Sequence, residues 1–489
     1  MLAALLLLGA ILRFATLDLQ SYRYDEAVTV GRVLHPSLFD TLATVPRSES
    51  TPPLYYALAW LWSRVFGTGE VGLRSLSALA GTASIAVVYL GARALPLPRR
   101  AGLIAAAIVA VNPVLIWFSQ DTRAYALVFL FTALSFLFFA RARRSGSSRD
   151  LGWWAATSSL ALLTHYFAAF VVIPEAVLLL TSRFVPHSGT KREVSGRGRR
   201  VGVAIGVVVA TGVLLLPIAL RQNGNAHAGW IAEQPISERL ERAGAKLVGA
   251  DNGDEHGLRQ PGPIPLGIPV ALALAALGLL LWRGGPEERR GGAVAAVVGV
   301  AGVGLPLLLG AFGADYLDGR NLLPVFVPLI VLLGAGFGVR RAGWMGLALA
   351  GAFCLCALVF TIEIDRLPRL QREDLRNAAH EIGPLRPSAA LVAPRYSAGQ
   401  PLRYYLGAQF AAVKLPPLRE IDLIGSAGAE RSAAHLLPGA FRRVESKPVS
   451  YDFTLARFRA ARPISVPLRV LEQGTLVGGG ARASVLVAP

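Results

Sequence analysis

The sequence is poor in cysteine and in charged residues, above all in acidic ones. Its 489 residues include 2 cysteines, and 31 Asp and Glu against 49 Lys and Arg. Cys354 and Cys356 lie two positions apart in an apolar run, so on a helix they point in different directions. We therefore expect neither a disulfide nor a metal site there. Only 16% of residues are charged while 53% are hydrophobic, and the mean hydropathy is +0.49, which excludes an ordinary soluble protein.

Long apolar runs predict an α-helical polytopic membrane protein. Many of these runs approach the ~20 residues needed to cross a bilayer. The first contains Arg13 and has no small-residue cleavage site, so we interpret it as a retained span and not as a signal peptide. We expect about 11 transmembrane helices, with approximate limits 1–17, 72–92, 102–118, 124–140, 152–165, 167–183, 201–220, 264–282, 292–312, 321–339 and 342–362.

The basic residues predict which side of the membrane each loop faces. The net charge of +18 is concentrated in alternate loops, such as 141–149, 183–200 and 340–341. Short loops rich in Arg and Lys stay in the cytoplasm. This distribution favours a plasma-membrane protein with a cytoplasmic N-terminus over a nucleic-acid partner. It also puts the polar clusters near residues 25, 121 and 320 on the outer face.

The first outer loop, about 18–71, is predicted to follow the membrane surface. Residues 53–66 are apolar, but at about 14 residues they are short for a span. Counting them as one would turn every later Arg-rich loop outward. We interpret them as a helix at the outer interface, preceded by a second apolar face. That second face comprises Leu38, Phe39, Leu42 and Val45.

The composition changes after residue 362, which predicts two domains: a membrane domain, 1–362, and an extracytoplasmic α/β domain, 363–489. Residues 389–393 predict a buried strand, and a helical pattern begins at Pro401. The apolar runs 411–415, 451–459 and 465–471 predict further strands. The acidic stretch 252–256 lacks the ligand spacing of a calcium site, so we interpret it as surface loop.

Asp25 and Glu26 form an adjacent acidic pair just after the first span. Acids are costly to desolvate beside a membrane, so such a pair suggests chemistry. The expected task is to take a proton from a hydroxyl group. The alternative is a solvated loop acid beside Arg23.

Three further polar clusters lie at predicted outer ends of spans. Arg123 either pairs with Asp121 or presents its planar donors to a lipid phosphate. His165 is either a hydrogen-bonded packing residue or part of a site. Arg320 either reaches phospholipid headgroups or holds the phosphate of a bound lipid.

Six short motifs resemble bacterial glycosyltransferase family 39 proteins, which are relatives of the protein O-mannosyltransferases and the lipid A aminoarabinose transferase. The motifs are specific jointly, through their order and spacing. They lie at 24–27, 52–56, 72–77, 117–125, 164–167 and, more loosely, 319–324. The resemblance covers about the first 180 residues. It implies a multi-spanning GT-C-type bundle with membrane-surface helices in the first outer loop.

The resemblance also implies an activity. Such a protein transfers a sugar from a polyprenyl-phosphate carrier to an acceptor hydroxyl at the outer face, with inversion. Asp25 would be the general base, and Glu26 would orient it or raise its basicity. Arg123 and Arg320 would hold the donor phosphate. The remaining substrate-site candidates are Tyr24, Tyr55, Asp121, Tyr125, His165 and Tyr166.

Two departures from the family pattern leave metal dependence open. Thr51 stands where many relatives have His or another polar or charged residue before the Pro-Pro pair, and Asp121 replaces a more usual Glu. A divalent metal therefore remains an option without a clear ligand set. The acceptor, whether protein, glycan or lipid, also stays open.

Two other classes of function remain. A transporter or flippase for a lipid-linked glycan should show inverted repeats and polar groups near mid-membrane, and the sequence shows neither. A non-catalytic envelope assembly protein would keep its activity without Asp25.

Overall fold

The computed structural model describes residues 1–182, 191–223, 231, 234–251, 264–411, 415–479 and 482–488. Within these ranges the chain divides into two compact units. The first unit comprises Met1–Leu17 and His35–Arg366, and the second comprises Asp18–Leu34 and Leu367–Pro489. The sequence division at 362 is close to the second boundary. It gave no indication that Asp18–Leu34 packs with the C-terminal part of the chain.

The first unit is helical. Every predicted span has a helical counterpart in the described ranges. The helices are Leu2–Phe14, Leu38–Ser48, Leu54–Phe66, Glu70–Ala94, Arg99–Val111, Pro113–Ser119, Tyr125–Ser145, Ser148–Thr164, Ala169–Ser182, Lys191–Asn223, Ile236–Val248, Gly267–Arg283, Pro286–Ala311, Leu323–Phe337 and Gly343–Arg366. The two helices predicted for the first outer loop are present at Leu38–Ser48 and Leu54–Phe66. Their position at the membrane surface stays a prediction.

Length and composition support fewer spans than the sequence predicts. Among the described residues, 5 helices are long and apolar enough to cross a membrane, or up to 6 if a bent pair counts as one. Shorter apolar helices account for four more of the predicted spans: Leu2–Phe14, Tyr166–Thr181, Gly267–Arg283 and Leu323–Phe337. The helix Ser148–Thr164 meets neither description, because it has 17 residues and carries polar side chains along its length. The total of about 11 spans therefore remains a prediction.

Arg13 stabilises the bend between Arg99–Val111 and Pro113–Ser119. These helices meet at 59°, because Pro113 has no N–H to continue the helical ladder. The fully buried Arg13 guanidinium donates to the carbonyl oxygens of Val109 and Ala110 at 2.8 and 3.0 Å. It also donates to Ser119 Oγ at 3.1 Å. Arg13 thus occupies acceptors that the break exposes, which explains how this first apolar run accommodates a charge.

Glu175 is also fully buried in the first unit, and the sequence could not name its partners. Its Oε2 accepts hydrogen bonds from Ser135 Oγ at 2.5 Å and from Trp154 Nε1 at 2.9 Å. Ser135 also lies 2.9 Å from Ser158 Oγ. The acid therefore joins three helices through a polar cluster inside the bundle.

The second unit is built on a six-stranded sheet. The strands are β1 Ala389–Pro394, β2 Gln409–Phe410, β3 Leu418–Gly425, β4 Arg442–Pro448, β5 Thr454–Ile464 and β6 Ala483–Val487, in the order β2-β6-β1-β3-β5-β4. β1 and β3 are parallel, and the other pairs are antiparallel. Alternate residues of β1 enter different hydrophobic cores, Ala390 and Val392 on one face and Leu391 and Ala393 on the other. Both faces of the sheet are therefore covered.

The prediction of an α/β domain is confirmed, although its strands were only partly found. β1 and the helix Gly399–Leu406 match the prediction, and β5 overlaps the predicted 451–459. The run 465–471 is not a strand, because Leu468–Leu471 is a short helix that follows Pro467. Parts of the predicted 411–415 strand and the whole 252–256 stretch lie outside the described residues. Cys354 and Cys356 are unbonded.

Candidate functional site

The turn that carries Asp121 and Arg123 is held by side chains from neighbouring helices. The Gln120 amide donates to Thr16 Oγ1 at 2.7 Å and to the Arg13 carbonyl oxygen at 3.2 Å. Ser77 Oγ donates to the carbonyl oxygen of the buried Asp121 at 2.7 Å. These bonds fix the turn that follows the bent helix pair, so Arg123 projects from a rigid support.

Arg123 forms an ion pair with Glu49, a residue that sequence analysis did not select. The distance from Arg123 Nη1 to Glu49 Oε2 is 2.6 Å, and the two residues are 9% and 3% exposed. The same carboxylate oxygen accepts a hydrogen bond from Tyr56 Oη at 2.6 Å. Thr51 Oγ1 lies 3.0 Å from Tyr56 Oη. The Thr51 side chain, which marks a departure from the family pattern, thus belongs to this cluster.

The Glu49 cluster keeps an unused acceptor. Burial raises the pKa of Tyr56 well above its usual value, so this hydroxyl remains a hydrogen-bond donor at neutral pH. Glu49 Oε1 is buried and has no hydrogen-bond partner within the described ranges. A buried carboxylate oxygen without a partner is costly. The cluster therefore keeps one buried acceptor that its described neighbours do not use.

His165, Tyr125 and Arg320 belong to the same unit as Arg123. The His165 ring packs against Tyr125, with centroids 5.7 Å apart, and its Nδ1 accepts from the Phe167 backbone N–H at 3.3 Å. Arg320 and Arg123 lie near enough to the His165 ring for both of their charges to act on it. Arg320 Nε also lies 3.6 Å from Asp318 Oδ1. The two arginines proposed to hold a phosphate therefore lie in the same unit as His165, within range of its ring.

Tyr55 and Tyr166 border this region. The buried Tyr55 ring meets Tyr56 edge to face, with centroids 5.4 Å apart. Tyr166 Oη donates to Gln222 Oε1 at 2.7 Å, and the Gln222 amide donates to the Thr51 carbonyl oxygen at 3.0 Å. Gln222 therefore ties the segment before the Pro-Pro pair to the end of the fifth predicted span.

Tyr24, Asp25 and Glu26 lie in the second unit, in the short helix Tyr24–Val28. Asp25 is partly exposed and sits in the first helical turn, where a negative charge is favoured. Glu26 is fully buried, and its Oε2 lies 3.1 Å from Arg372 Nη1. The Tyr24 ring packs against Tyr396, with centroids 6.0 Å apart. The adjacent acids thus differ in environment, since one is accessible and the other is enclosed.

A metal site is not evident in the described part of the chain. No group of three or more His, Cys, Asp or Glu side chains there is placed to hold an ion.

Comparison with known proteins supports the resemblance stated from the motifs. Residues 50–214 match the family described as dolichyl-phosphate-mannose-protein mannosyltransferase. This range contains Tyr55, Asp121, Arg123, Tyr125, His165 and Tyr166. The sequence matches no curated relative.

Three solved structures share the fold. ArnT from Cupriavidus metallidurans, in the apo state, is similar at 12% identity and a TM-score of 0.56, over 93% of this chain and 97% of that one. The same protein bound to undecaprenyl phosphate gives 14% identity and a TM-score of 0.54, over 93% and 97% of the two chains. The arabinofuranosyltransferase AftD from Mycobacteria is similar at 14% identity and a TM-score of 0.52. The match covers 94% of this chain and 40% of that one. The chain thus shares the fold of these three structures, and its apolar helices are those of a multi-pass membrane protein.

Proposed function

We propose that this protein is a membrane glycosyltransferase that moves a sugar from a polyprenyl-phosphate carrier to an acceptor hydroxyl at the outer membrane face. The match of residues 50–214 to a mannosyltransferase family carries the proposal. The GT-C-type fold supports it, and one structure with this fold, ArnT, binds undecaprenyl phosphate. Mannose is the first donor sugar to test. The membrane domain 1–362 provides the catalytic framework.

The chemistry is a single inverting displacement. The acceptor oxygen attacks the anomeric carbon while its proton passes to the Asp25 carboxylate. The bond from the anomeric carbon to the phosphate oxygen breaks, and polyprenyl phosphate leaves as the anion. A phosphate is already a good leaving group, so the protein must position the reactants and stabilise the phosphate charge. The partial exposure of Asp25 supports its role as the accessible base.

Arg123 and Arg320 hold the carrier phosphate in this proposal. Both act on the His165 ring, so their charges are concentrated in one region of the first unit. Charge-assisted contacts of this kind suit a phosphate. Tyr55, Asp121, Tyr125, His165 and Tyr166 line or brace the substrate region, while Tyr24 accompanies the base. Glu49, which sequence analysis missed, orients Arg123.

Replacement of Asp25 tests the chemistry. Asp25→Asn keeps the size of the side chain and removes its basicity, so turnover should fall about 10²- to 10⁴-fold. The assay measures undecaprenyl phosphate released by the purified protein from undecaprenyl-phosphate-linked mannose and, separately, arabinose, with a cell-envelope extract as acceptor. Asp18→Asn is the matched control, since Asp18 lies in the same segment with a 72% exposed side chain. Near-normal turnover of Asp25→Asn would favour the transporter or assembly functions.

Cysteine labelling tests the proposed sidedness. In a protein with Cys354 and Cys356 changed to Ala, Ser148→Cys should be shielded from an impermeant thiol reagent applied to intact cells. Arg431→Cys should react. Both positions are exposed in the structure, so shielding must come from the membrane. Labelling of Ser148→Cys would overturn the orientation and the outer active face.

A further inference from the structure

The acidic segment Asp18–Leu34 is held by the C-terminal part of its own chain. Ser21 Oγ donates to the Glu373 carbonyl oxygen at 2.6 Å and accepts from the Leu375 N–H at 3.0 Å. The Tyr22 N–H donates to Tyr405 Oη at 2.7 Å. These bonds come from the stretch just after the last long helix and from the helix Gly399–Leu406. A segment from the N-terminal region is thus fixed on a scaffold built more than 340 residues later in sequence.

The short helix Tyr24–Val28 needs this external support. It has 5 residues and continues directly into the 5-residue π-helix Thr29–Val33, and together these are still too few for a stable isolated helix in water. Its first turn carries Asp25, so the direction of the Asp25 carboxylate follows the orientation of the helix. That orientation must come from the contacts of neighbouring side chains.

Glu26 provides the strongest of these contacts. Its Oε2 accepts from Arg372 Nη1 at 3.1 Å and from the Arg23 backbone N–H at 3.2 Å, which closes the start of the helix. The Arg372 side chain is 2% exposed and that of Glu26 is 0% exposed. The Arg372 backbone N–H donates in turn to Gln20 Oε1 at 2.9 Å. Arg372 therefore holds the segment at two points, Gln20 before the acidic pair and Glu26 within it.

We infer that Arg372 is a positioning residue that holds the Asp25 carboxylate in its reactive direction by clamping the neighbouring Glu26. This inference rests on the proposed function, because it takes Asp25 as the base. It also gives the C-terminal domain a role in the reaction. With its side chain 2% exposed, Arg372 is too deeply buried to serve as a ligand for a substrate phosphate.

Four variants of the full-length protein test the inference. Arg372→Gln should lower kcat by about a hundredfold, since a displacement near 1 Å has an effect of that size. The affinity for undecaprenyl phosphate and the KM for the donor should stay within about twofold, because Arg372 touches neither. Removing both partners avoids a lone buried charge. The kcat of the double variant Glu26→Gln/Arg372→Gln should therefore be about tenfold higher than that of Arg372→Gln.

Arg376→Gln is the matched control. Arg376 pairs with Asp18 at 2.8 Å and so joins the same two stretches of chain, but this pair is exposed. The kcat of Arg376→Gln should therefore equal that of the wild type. Arg372→Lys keeps the charge and should recover part of the lost kcat.

The outcomes separate this inference from the proposed function. If Asp25→Asn is inactive and folded Arg372→Gln turns over at the wild-type rate, Arg372 has a structural role only and the inference fails alone. If the KM rises more than kcat falls, and the double variant shows no recovery, Arg372 contacts substrate and the inference also fails. Normal turnover in Asp25→Asn would overturn both proposals.

Discussion

Two buried carboxylate–arginine pairs, one in each unit, differ in how fully the carboxylate is used. Glu49 binds Arg123 and Tyr56 through Oε2, while its Oε1 has no partner within the described ranges. Glu26 binds Arg372 and closes the start of its own helix through the Arg23 N–H. An enclosed pair suits a structural clamp. The Glu49 pair is also buried, but its unused oxygen leaves one acceptor for a new partner.

The largest expected effect comes from removing Glu49 from its ion pair with Arg123. Glu49→Ala leaves the Arg123 charge buried without this partner, so the free energy of unfolding should fall by about 3–5 kcal/mol. Glu49→Gln retains a hydrogen-bond acceptor and should lose less. Thermal unfolding in detergent measures both. Equal stability of wild type and Glu49→Ala would show that the pair contributes little.

The second prediction tests whether Arg123 binds the donor phosphate in addition to forming its ion pair with Glu49. Arg123→Ala should weaken the binding of undecaprenyl phosphate by about ten- to a hundredfold, because a charge-assisted contact is worth about 1.5–3 kcal/mol. Arg123→Lys should recover only part, since an ammonium lacks the planar fork. Asp25→Asn should bind almost normally. If the folded fraction of Arg123→Ala also binds normally, the pair with Glu49 is structural alone.

Arg320 should give a smaller effect on the same measurement. Its contact with Asp318 is longer, at 3.6 Å, and its side chain is 15% exposed. We therefore expect Arg320→Ala to weaken undecaprenyl phosphate binding by about tenfold, near 1.4 kcal/mol. Asp318→Asn is the control and should leave binding within about twofold. If Arg320→Ala lost more affinity for undecaprenyl phosphate than Arg123→Ala, Arg320 would be the more important phosphate ligand, contrary to this proposal.

The smallest effect comes from a surface cluster, Lys447 with Glu381 and Glu445, which serves as the reference for both buried pairs. Lys447 Nζ lies 2.6 Å from Glu381 Oε2 and 3.0 Å from Glu445 Oε1. Hydrogen bonds from Lys447 lower the pKa of both glutamates. Their stabilisation is therefore present above the unfolded glutamate pKa, about 4.3, and is lost as the pH falls through the lower folded values.

Melting temperatures at pH 7 and about pH 3.5 test this surface cluster. Wild type should lose slightly more stability on acidification than Lys447→Gln, since the variant lacks the cation that lowers the two pKa values. An identical loss in both proteins would show that the surface cluster contributes nothing measurable.

The sequence predicted much of the fold because its signals are local. Apolar runs of suitable length located the helices, and a short continuous apolar run, 389–393, located β1. The strands β3, β4 and β6 were missed, and β2 ends just before the predicted strand 411–415. β4 is an edge strand rich in Arg, Lys and Glu, so it offered no apolar run. The short helix Leu468–Leu471 was taken for a strand because four to seven apolar residues fit either structure.

Sequence by itself determined the membrane class, the helices and the chemistry-bearing motifs, since hydropathy and short motifs are read within a few residues. Tertiary structure alone decided which charges meet. Glu49 reaches Arg123 across 74 positions, and Glu26 reaches Arg372 across 346. The sequence had instead considered Asp121, two positions away, as the partner of Arg123. Ion pairs are chosen by distance and burial in space, and a folded chain brings together residues whose separation along the sequence carries no sign of it.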